Sequence, residues 1–252
     1  MSTQKCTAPI VWQDERRKIL VPGKEEETVR FATEHFIETA KEAITNKGVF
    51  TAALSGGSTP KKIFEQLSSD PYAKQVDWEK VHLFWSDERS VAPSHPDSNY
   101  LMAMEAGLKT LPIPSKNIHR MKAENDITSA AQEYEEEVRK YVPKAHFDLL
   151  MLGMGEDGHT ASLFPGTKGL SETERLVIAN EVPQKNTWRM TFTFPCINAA
   201  QNICIYVIGA GKAEMIETLF KMTDRESFPI ESVGTNSTPA LWIIDEGAAA
   251  KL

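Results

Sequence analysis

A short polar segment near the middle of the chain carries residue types suited to proton transfer. It reads Gly155-Glu156-Asp157-Gly158-His159 and comes shortly after an apolar run. A neutral imidazole is the side chain best suited to accept a proton near neutral pH. A single histidine is often purely structural, but its place beside Asp157 on a glycine-rich segment makes His159 a candidate general base.

A second segment has the composition of a phosphate-binding loop. It reads Ser55-Gly56-Gly57-Ser58-Thr59-Pro60 and precedes a helical pattern. Two glycines let backbone amides point toward an anion, and the start of a helix carries partial positive charge. We expect Thr59 to be the N-cap and Pro60 the first helical residue. Because the loop lacks the lysine of a P-loop, a plain turn between strand and helix remains open.

Charged residues follow two further apolar runs. Directly after one run come Asp87, Glu88 and Arg89, and three adjacent charges there are costly unless they pair or form a site. A solvated turn is the alternative. Two cations come later in the chain. Arg189 lies in an alternating strand, and Lys212 follows the apolar run 203–208 at the start of a helix. A lysine in a first helical turn opposes the helix dipole, which an anion bound there would offset.

Four apolar runs are predicted to be the strands that position these segments. They span residues 49–54, 81–85, 147–152 and 203–208. Helical patterns, with apolar residues three and four apart, lie between and around them, at 29–43, 127–141 and 213–220. Strands that alternate with helices form parallel βαβ units. We therefore expect an α/β fold with a doubly wound, mostly parallel, Rossmann-like sheet and helices on both faces.

In open parallel sheets, ligands bind beyond the carboxyl ends of the strands. Because the polar segments lie near the ends of apolar runs, we expect them to meet in one site. No repeat, low-complexity tract or flexible linker divides the sequence. Residues 1–252 are therefore expected to form one domain.

The composition argues against several classes of partner. The chain has 28 Lys and Arg against 35 Asp and Glu, and this net charge of -7 disfavours nucleic acid and anionic membrane surfaces. No apolar stretch approaches the roughly 20 residues that span a membrane, and the N-terminal residues lack the apolar core of a signal peptide. The three cysteines, Cys6, Cys196 and Cys204, are an odd number without CxxC spacing, and the last two lie in apolar stretches where a free cysteine is commonly part of the core. We therefore expect a reducing compartment. We expect a cytoplasmic protein without an obligate protein partner.

Three other kinds of site are disfavoured. The segment 153–158 fits the G-x-G-x-x-G dinucleotide pattern, but Pro165 and Gly166 follow too soon for the helix that this pattern opens. Ser162 does not lie in a G-x-S-x-G nucleophile elbow. The six histidines are scattered and include no H-E-x-x-H motif, so we expect neither a zinc hydrolase nor another metal site.

Taken together, the motifs resemble the 6-phosphogluconolactonase family, which is related to glucosamine-6-phosphate deaminase. The resemblance covers nearly the whole chain, through residues 54–60, 84–89, 98–100, 155–166, 188–191 and 209–213. The Asp-Glu-Arg of 87–89 and the sequence of 157–166 are similar to the lactonase form of the family. Two departures, Ala92 and the stretch Phe194-Pro195-Cys196, lie beside the motifs and bear on substrate fit.

The resemblance implies hydrolysis of 6-phospho-D-glucono-1,5-lactone to 6-phospho-D-gluconate, a step of the oxidative pentose phosphate pathway, without a metal or an organic cofactor. His159 would activate water and then protonate the ring oxygen, with Asp157 or Asp87 orienting the imidazole. Arg89 would stabilise the oxyanion. The residues assigned to the phosphate are Ser55, Gly56, Gly57, Ser58, Thr59, Arg189 and Lys212.

Two alternatives stay open. One is an amino-sugar phosphate deaminase on the same fold, against which the sequence after His159 argues. The other is a non-catalytic sensor that keeps the phosphate site. Because Asp157, His159 and Arg89 are all present, the sequence favours the enzyme over the sensor.

Overall fold

The four apolar runs form adjacent strands of a seven-stranded sheet. In the computed structural model, which describes residues 8–224 and 226–252, the strands are β1 (Ile10–Gln13), β2 (Arg17–Leu20), β3 (Phe50–Leu54), β4 (Val81–Trp85), β5 (Asp87–Arg89), β6 (Leu149–Leu152), β7 (Val177–Val182), β8 (Thr187–Phe192), β9 (Ile203–Val207) and β10 (Ala240–Ile244). The larger sheet has the order β1-β2-β10-β9-β6-β3-β4, and all neighbours are parallel except β1 and β2. The predicted strands are confirmed to within two residues at each end.

Helices cover both faces of this sheet. They are α1 (Glu25–Lys47), α2 (Ser58–Leu67), α3 (Asn99–Glu105), α4 (Ile127–Tyr141), α5 (Phe194–Asn198) and α6 (Ala213–Lys221). Side chains of β3 alternate between the faces: Ala52 and Leu54 pack with α1 and α2, whereas Ala53 belongs to the apolar cluster of α4 and α6. Parallel strands are joined by crossover connections, and here the crossover helices cover both faces of the sheet. The predicted doubly wound α/β fold is confirmed.

A second, three-stranded antiparallel sheet carries two of the charged segments. Its order is β5-β8-β7, and Arg89 of β5 is the cross-strand partner of Arg189 of β8. Ser86 joins the two sheets, because its amide donates to the Leu54 carbonyl and its carbonyl accepts from the Phe192 amide, each at 2.8 Å. The charged residues after β4 therefore form a short strand instead of the alternative solvated turn.

The start of α2 differs from the expectation. The helix begins at Ser58, and its N-cap is Gly57, which has a φ of 104°. The prediction of Thr59 as N-cap and Pro60 as first helical residue is therefore wrong by two positions. The positive φ of Gly57 lets the chain enter the helix early, and Pro60 is tolerated because amides of a first turn need no helical acceptor.

The structure also shows the state of two cysteines and the conformation of the glycine-rich segment 153–158. Cys196 and Cys204 are free and buried, whereas Cys6 lies outside the described residues. No helix forms between β6 and the short 3-10 turn Lys168–Ser171, so 153–158 does not open a dinucleotide-binding helix. In 8–224 and 226–252 no helix has the length and apolar character needed to cross a membrane.

The buried hydroxyl of Tyr134 fixes the end of β4. It accepts a hydrogen bond from the Trp85 amide at 2.9 Å and lies 3.0 Å from the His119 carbonyl, to which it donates. Tyr134→Phe leaves this buried amide without its acceptor, which we expect to lower the free energy of unfolding by about 1–3 kcal/mol. Urea denaturation measures the change. An unaltered free energy of unfolding would show that the strand end does not depend on this hydroxyl.

Candidate active site

A cavity of about 240 Å³ lies at the carboxyl ends of β3, β4, β6 and β9. Its lining includes the predicted site residues Ser55, Gly56, Gly57, Ser58, Thr59, Asp87, Arg89, His159 and Lys212. Two predicted residues lie just behind this lining. Asp157 contacts His159, and Arg189 lies beside Arg89. The structure thus brings together segments that are far apart in the sequence.

The imidazole of His159 is held in a defined orientation. Its Nδ1 lies 2.5 Å from Oδ1 of Asp157, and the His159 amide donates to the same oxygen at 3.2 Å. The ring stacks on Phe164 with centroids 3.9 Å apart. Gly155 leaves room for the ring, since a Cβ there would collide with it. With Nδ1 engaged, Nε2 is the ring atom available for proton transfer.

Asp157 is the carboxylate that contacts His159. Burial raises the pKa of Asp157, but the hydrogen bond and the charge of His159 outweigh burial and hold that pKa below its ordinary value. An ionised carboxylate on Nδ1 fixes the tautomer of the ring and stabilises the imidazolium form. The sequence left open whether Asp157 or Asp87 orients His159, and the structure places Asp157 in that position.

Asp87 is held by two residues that the sequence did not assign to the site. The Ser162 hydroxyl donates to Oδ2 of Asp87 at 2.7 Å. The side-chain amide of Asn99 donates to Oδ1 at 3.2 Å and to the Asp87 carbonyl at 2.9 Å. The carboxylate is buried, yet it lines the cavity. The Ser162 hydroxyl therefore helps to orient the Asp87 carboxylate.

The buried carboxylate of Glu88 fixes the turn that carries Asn99. It accepts hydrogen bonds from the backbone amides of Arg89, Asn99 and Tyr100 and from the hydroxyl of Ser98. Burial raises the pKa of Glu88, and the backbone hydrogen bonds partly offset this effect. The Ser-Asn-Tyr motif at 98–100 is visible in the sequence, but residue spacing does not show that Glu88 accepts its hydrogen bonds.

Two arginines lie side by side next to the cavity. Arg89 and Arg189 are cross-strand partners, and Nη1 of Arg89 donates to the Asp97 carbonyl at 2.6 Å. The Nε atom of each arginine is buried without a hydrogen-bond partner among the described residues. Burial, and then the charge of Arg89, lower the pKa of Arg189. An anionic ligand would stabilise such a pair by accepting from its unused donors.

Further groups suited to an anion come from α2 and α6. The cavity faces the first turn of α2, where the partial positive charge of the helix is greatest. Lys212 is the N-cap of α6, and its Nζ donates to the Met154 carbonyl at 3.1 Å. In residues 8–224 and 226–252, no three His, Cys, Asp or Glu side chains are placed to hold a metal ion. The donors gathered here favour an anionic ligand.

Curated proteins that are similar to this chain in sequence include 6-phosphogluconolactonases. The family model for glucosamine-6-phosphate isomerases and 6-phosphogluconolactonase matches residues 23–242. A 6-phosphogluconolactonase of Chlamydia muridarum is 41% identical over 237 residues, which cover 94% of this chain and 91% of the relative. A 6-phosphogluconolactonase of Nostoc sp. is 39% identical over 217 residues, which cover 83% of this chain and 88% of the relative.

Solved structures share the fold. The crystal structure of devB protein superposes with a TM-score of 0.85 at 32% identity, covering 93% of this chain and 98% of that one. The 6-phosphogluconolactonase of Thermotoga maritima superposes with a TM-score of 0.78 at 27% identity, covering 90% of this chain and 98% of that one. The chain therefore belongs to the glucosamine-6-phosphate isomerase/6-phosphogluconolactonase family.

Proposed function

We propose that this chain hydrolyses 6-phospho-D-glucono-1,5-lactone to 6-phospho-D-gluconate and that His159 activates the attacking water. The observation that carries the mechanism is the Asp157–His159 pair at the wall of a cavity rich in anion-binding groups. The relatives named above are 6-phosphogluconolactonases, which supports a lactone substrate over an amino sugar.

The chemistry begins with neutral His159. Its Nε2 takes a proton from water while the water oxygen attacks C1 of the lactone, and Asp157 stabilises the imidazolium that forms. The tetrahedral intermediate then collapses, the bond between C1 and the ring oxygen breaks, and His159 returns the proton to that oxygen. The carboxylic acid formed at C1 then loses its proton to solvent, which gives 6-phospho-D-gluconate. The hydroxyl of Ser162 is engaged with Asp87, which supports direct attack by water.

The cations divide between the two ends of the substrate. The proposal assigns the phosphate to the amides of the 55–59 loop, Arg189 and Lys212. It assigns Arg89 to the carbonyl oxygen, where a well-placed donor is typically worth about 3 kcal/mol in the transition state. The pairing of Arg89 with Arg189 bears on this division, because one phosphate can accept hydrogen bonds from two neighbouring guanidinium groups.

The proposed reaction needs no partner beyond the substrate and water. Proton transfer, oxyanion stabilisation and phosphate binding are all supplied by side chains and amides of this chain, so the proposal includes no cofactor, nucleic acid or second protein. The buried free thiols of Cys196 and Cys204 fit a reducing compartment. We therefore propose a cytoplasmic location. We also propose that residues 1–252 form one domain.

Replacing His159 tests the general base. His159→Asn should lower turnover by about 100- to 10,000-fold, as expected when a general base is lost. The measurement is proton release from freshly prepared 6-phosphogluconolactone, corrected for spontaneous hydrolysis, with circular dichroism to verify folding. Turnover near that of the unaltered protein would remove His159 from the mechanism.

The pH dependence tests the Asp157–His159 pair. Turnover should fall as the pH drops from about 8 to 5, because protonated imidazole cannot act as a base. The lowered pKa of Asp157 keeps this carboxylate ionised across that range. Asp157→Asn removes the negative charge that stabilises the imidazolium formed in the reaction, so turnover at pH 8 should fall by about 10-fold or more. Turnover at pH 8 equal to that of the unaltered protein would show that Asp157 does not support the base.

Comparing two substrates tests the division of the cations. Lys212→Ala should raise KM for the phosphorylated lactone about 10-fold or more, since it removes a phosphate contact. It should change the already low rate with unphosphorylated glucono-1,5-lactone little. Arg89→Ala should impair both substrates alike, because both contain the carbonyl. If Arg89→Ala impairs only the phosphorylated lactone, Arg89 belongs with Arg189 at the phosphate.

A further inference from the structure

The chain that follows β10 packs behind the loop that carries Lys212. The first residue after β10 is Asp245, whose side chain is buried. Its Oδ1 accepts hydrogen bonds from the backbone amides of Gly209 at 2.9 Å and Ala248 at 2.8 Å. One carboxylate oxygen thus joins the C-terminal turn, residues 245–252, to the loop between β9 and α6.

Gly209 is the point at which that loop changes direction. Its φ is 106°, in a region that favours glycine over other residues. A glycine has many accessible conformations, and here two hydrogen bonds restrict it: its carbonyl accepts from the Lys212 amide at 3.0 Å, and its amide donates to Asp245. The hydrogen bond to Asp245 holds the Gly209 amide in one direction, three residues before Lys212 at the N-cap of α6.

Two further contacts tie the C-terminal turn to the same region. Gly247 lies so close to the loop that a Cβ there would be 3.0 Å from the Ala210 nitrogen. Lys251 forms an ion pair with Glu214 of α6, with Nζ and Oε1 3.1 Å apart. The turn therefore contacts both the loop before Lys212 and the helix after it.

We propose that Asp245 is a positioning residue for phosphate binding: its carboxylate fixes Gly209 and so sets the direction in which Lys212 reaches the substrate phosphate. The inference rests on the proposed function, in which Lys212 binds that phosphate. Asp245 does not line the cavity, so its effect on the substrate passes through the loop. It also lies beyond residues 23–242, which the family model matches.

The test separates positioning from simple support of the fold by using two lactones. Asp245→Ala should raise KM for 6-phosphogluconolactone about 10-fold, because a small displacement of a binding group weakens its contact steeply. Its kcat/KM for unphosphorylated glucono-1,5-lactone should stay within about twofold, since that substrate makes no phosphate contact. Asp245→Asn keeps an acceptor oxygen and should change KM less than about threefold.

A matched control comes from Asp148, a buried carboxylate at the opposite ends of the strands. It accepts from the Thr51 amide at 2.8 Å and pairs with Lys47, with Nζ and Oδ1 2.8 Å apart. Asp148→Asn should lower the midpoint of urea unfolding without changing the ratio of the two kcat/KM values. If it changes that ratio as Asp245→Ala does, the effect is general loosening and the positioning role is overturned.

Lys212→Ala, measured alongside, distinguishes a failure of the positioning role of Asp245 from a failure of the proposed phosphate role of Lys212. If Lys212→Ala shows a loss confined to the phosphorylated lactone and both Asp245 variants keep a normal KM, Asp245 is not a positioning residue and the proposed function stands. If Lys212→Ala impairs both lactones alike, the phosphate role of Lys212 fails, and the positioning role of Asp245 fails with it. If Asp245→Ala is too unstable for kinetics, Asp245→Ser, whose short side chain cannot bond both the Gly209 and Ala248 amides, takes its place, and calorimetry should show that it binds inorganic phosphate about 10-fold more weakly than the unaltered protein. Unchanged phosphate affinity would overturn the positioning role.

Discussion

The parallel alignment of β3, β4, β6 and β9 is the constraint on which the site depends. Because these strands run in one direction, their carboxyl ends open at one edge of the sheet, and the segments after them converge on one cavity. Because side chains alternate between the two faces of a strand, a slip of one residue would turn every side chain to the other face. Helices cover both faces, so such a slip would misplace each side chain in the packed core. The packing of the core therefore sets the positions of the loops that carry the chemistry.

The carboxylates of the site are hydrogen-bonded to groups other than its cations. Asp87 accepts from Ser162 and Asn99, and Asp157 contacts His159. Buried Glu88 is likewise satisfied by backbone amides and one hydroxyl. In residues 8–224 and 226–252, none of these carboxylates forms an ion pair with the three cations of the site, Arg89, Arg189 and Lys212. The cations therefore retain donors for an external anion, which a neutralising ion pair would have occupied.

Much of this arrangement could be predicted from the sequence, because it depends on local patterns. Apolar runs and helical spacing identify the strands and helices, and the carboxyl-end rule then places His159, Asp87 and the 55–59 loop together. The strand of Asp87–Arg89 is too short to produce an alternating pattern, so the antiparallel sheet was not foreseen. The start of α2 was misplaced because Gly57 adopts a positive φ that spacing does not reveal.

Contacts over long sequence separations were the least predictable. The hydrogen bond from Ser162 to Asp87 and the hydrogen bond from Gly209 to Asp245 both depend on tertiary packing, and no local sequence pattern indicates either pair.

The most direct test of His159 as the general base compares an NMR titration of its imidazole with the pH profile of kcat/KM, which reports groups of the free enzyme. If His159 is the base that activates water, the two midpoints coincide. A rate that titrates at a different pH from His159 would contradict its role as the base that activates water.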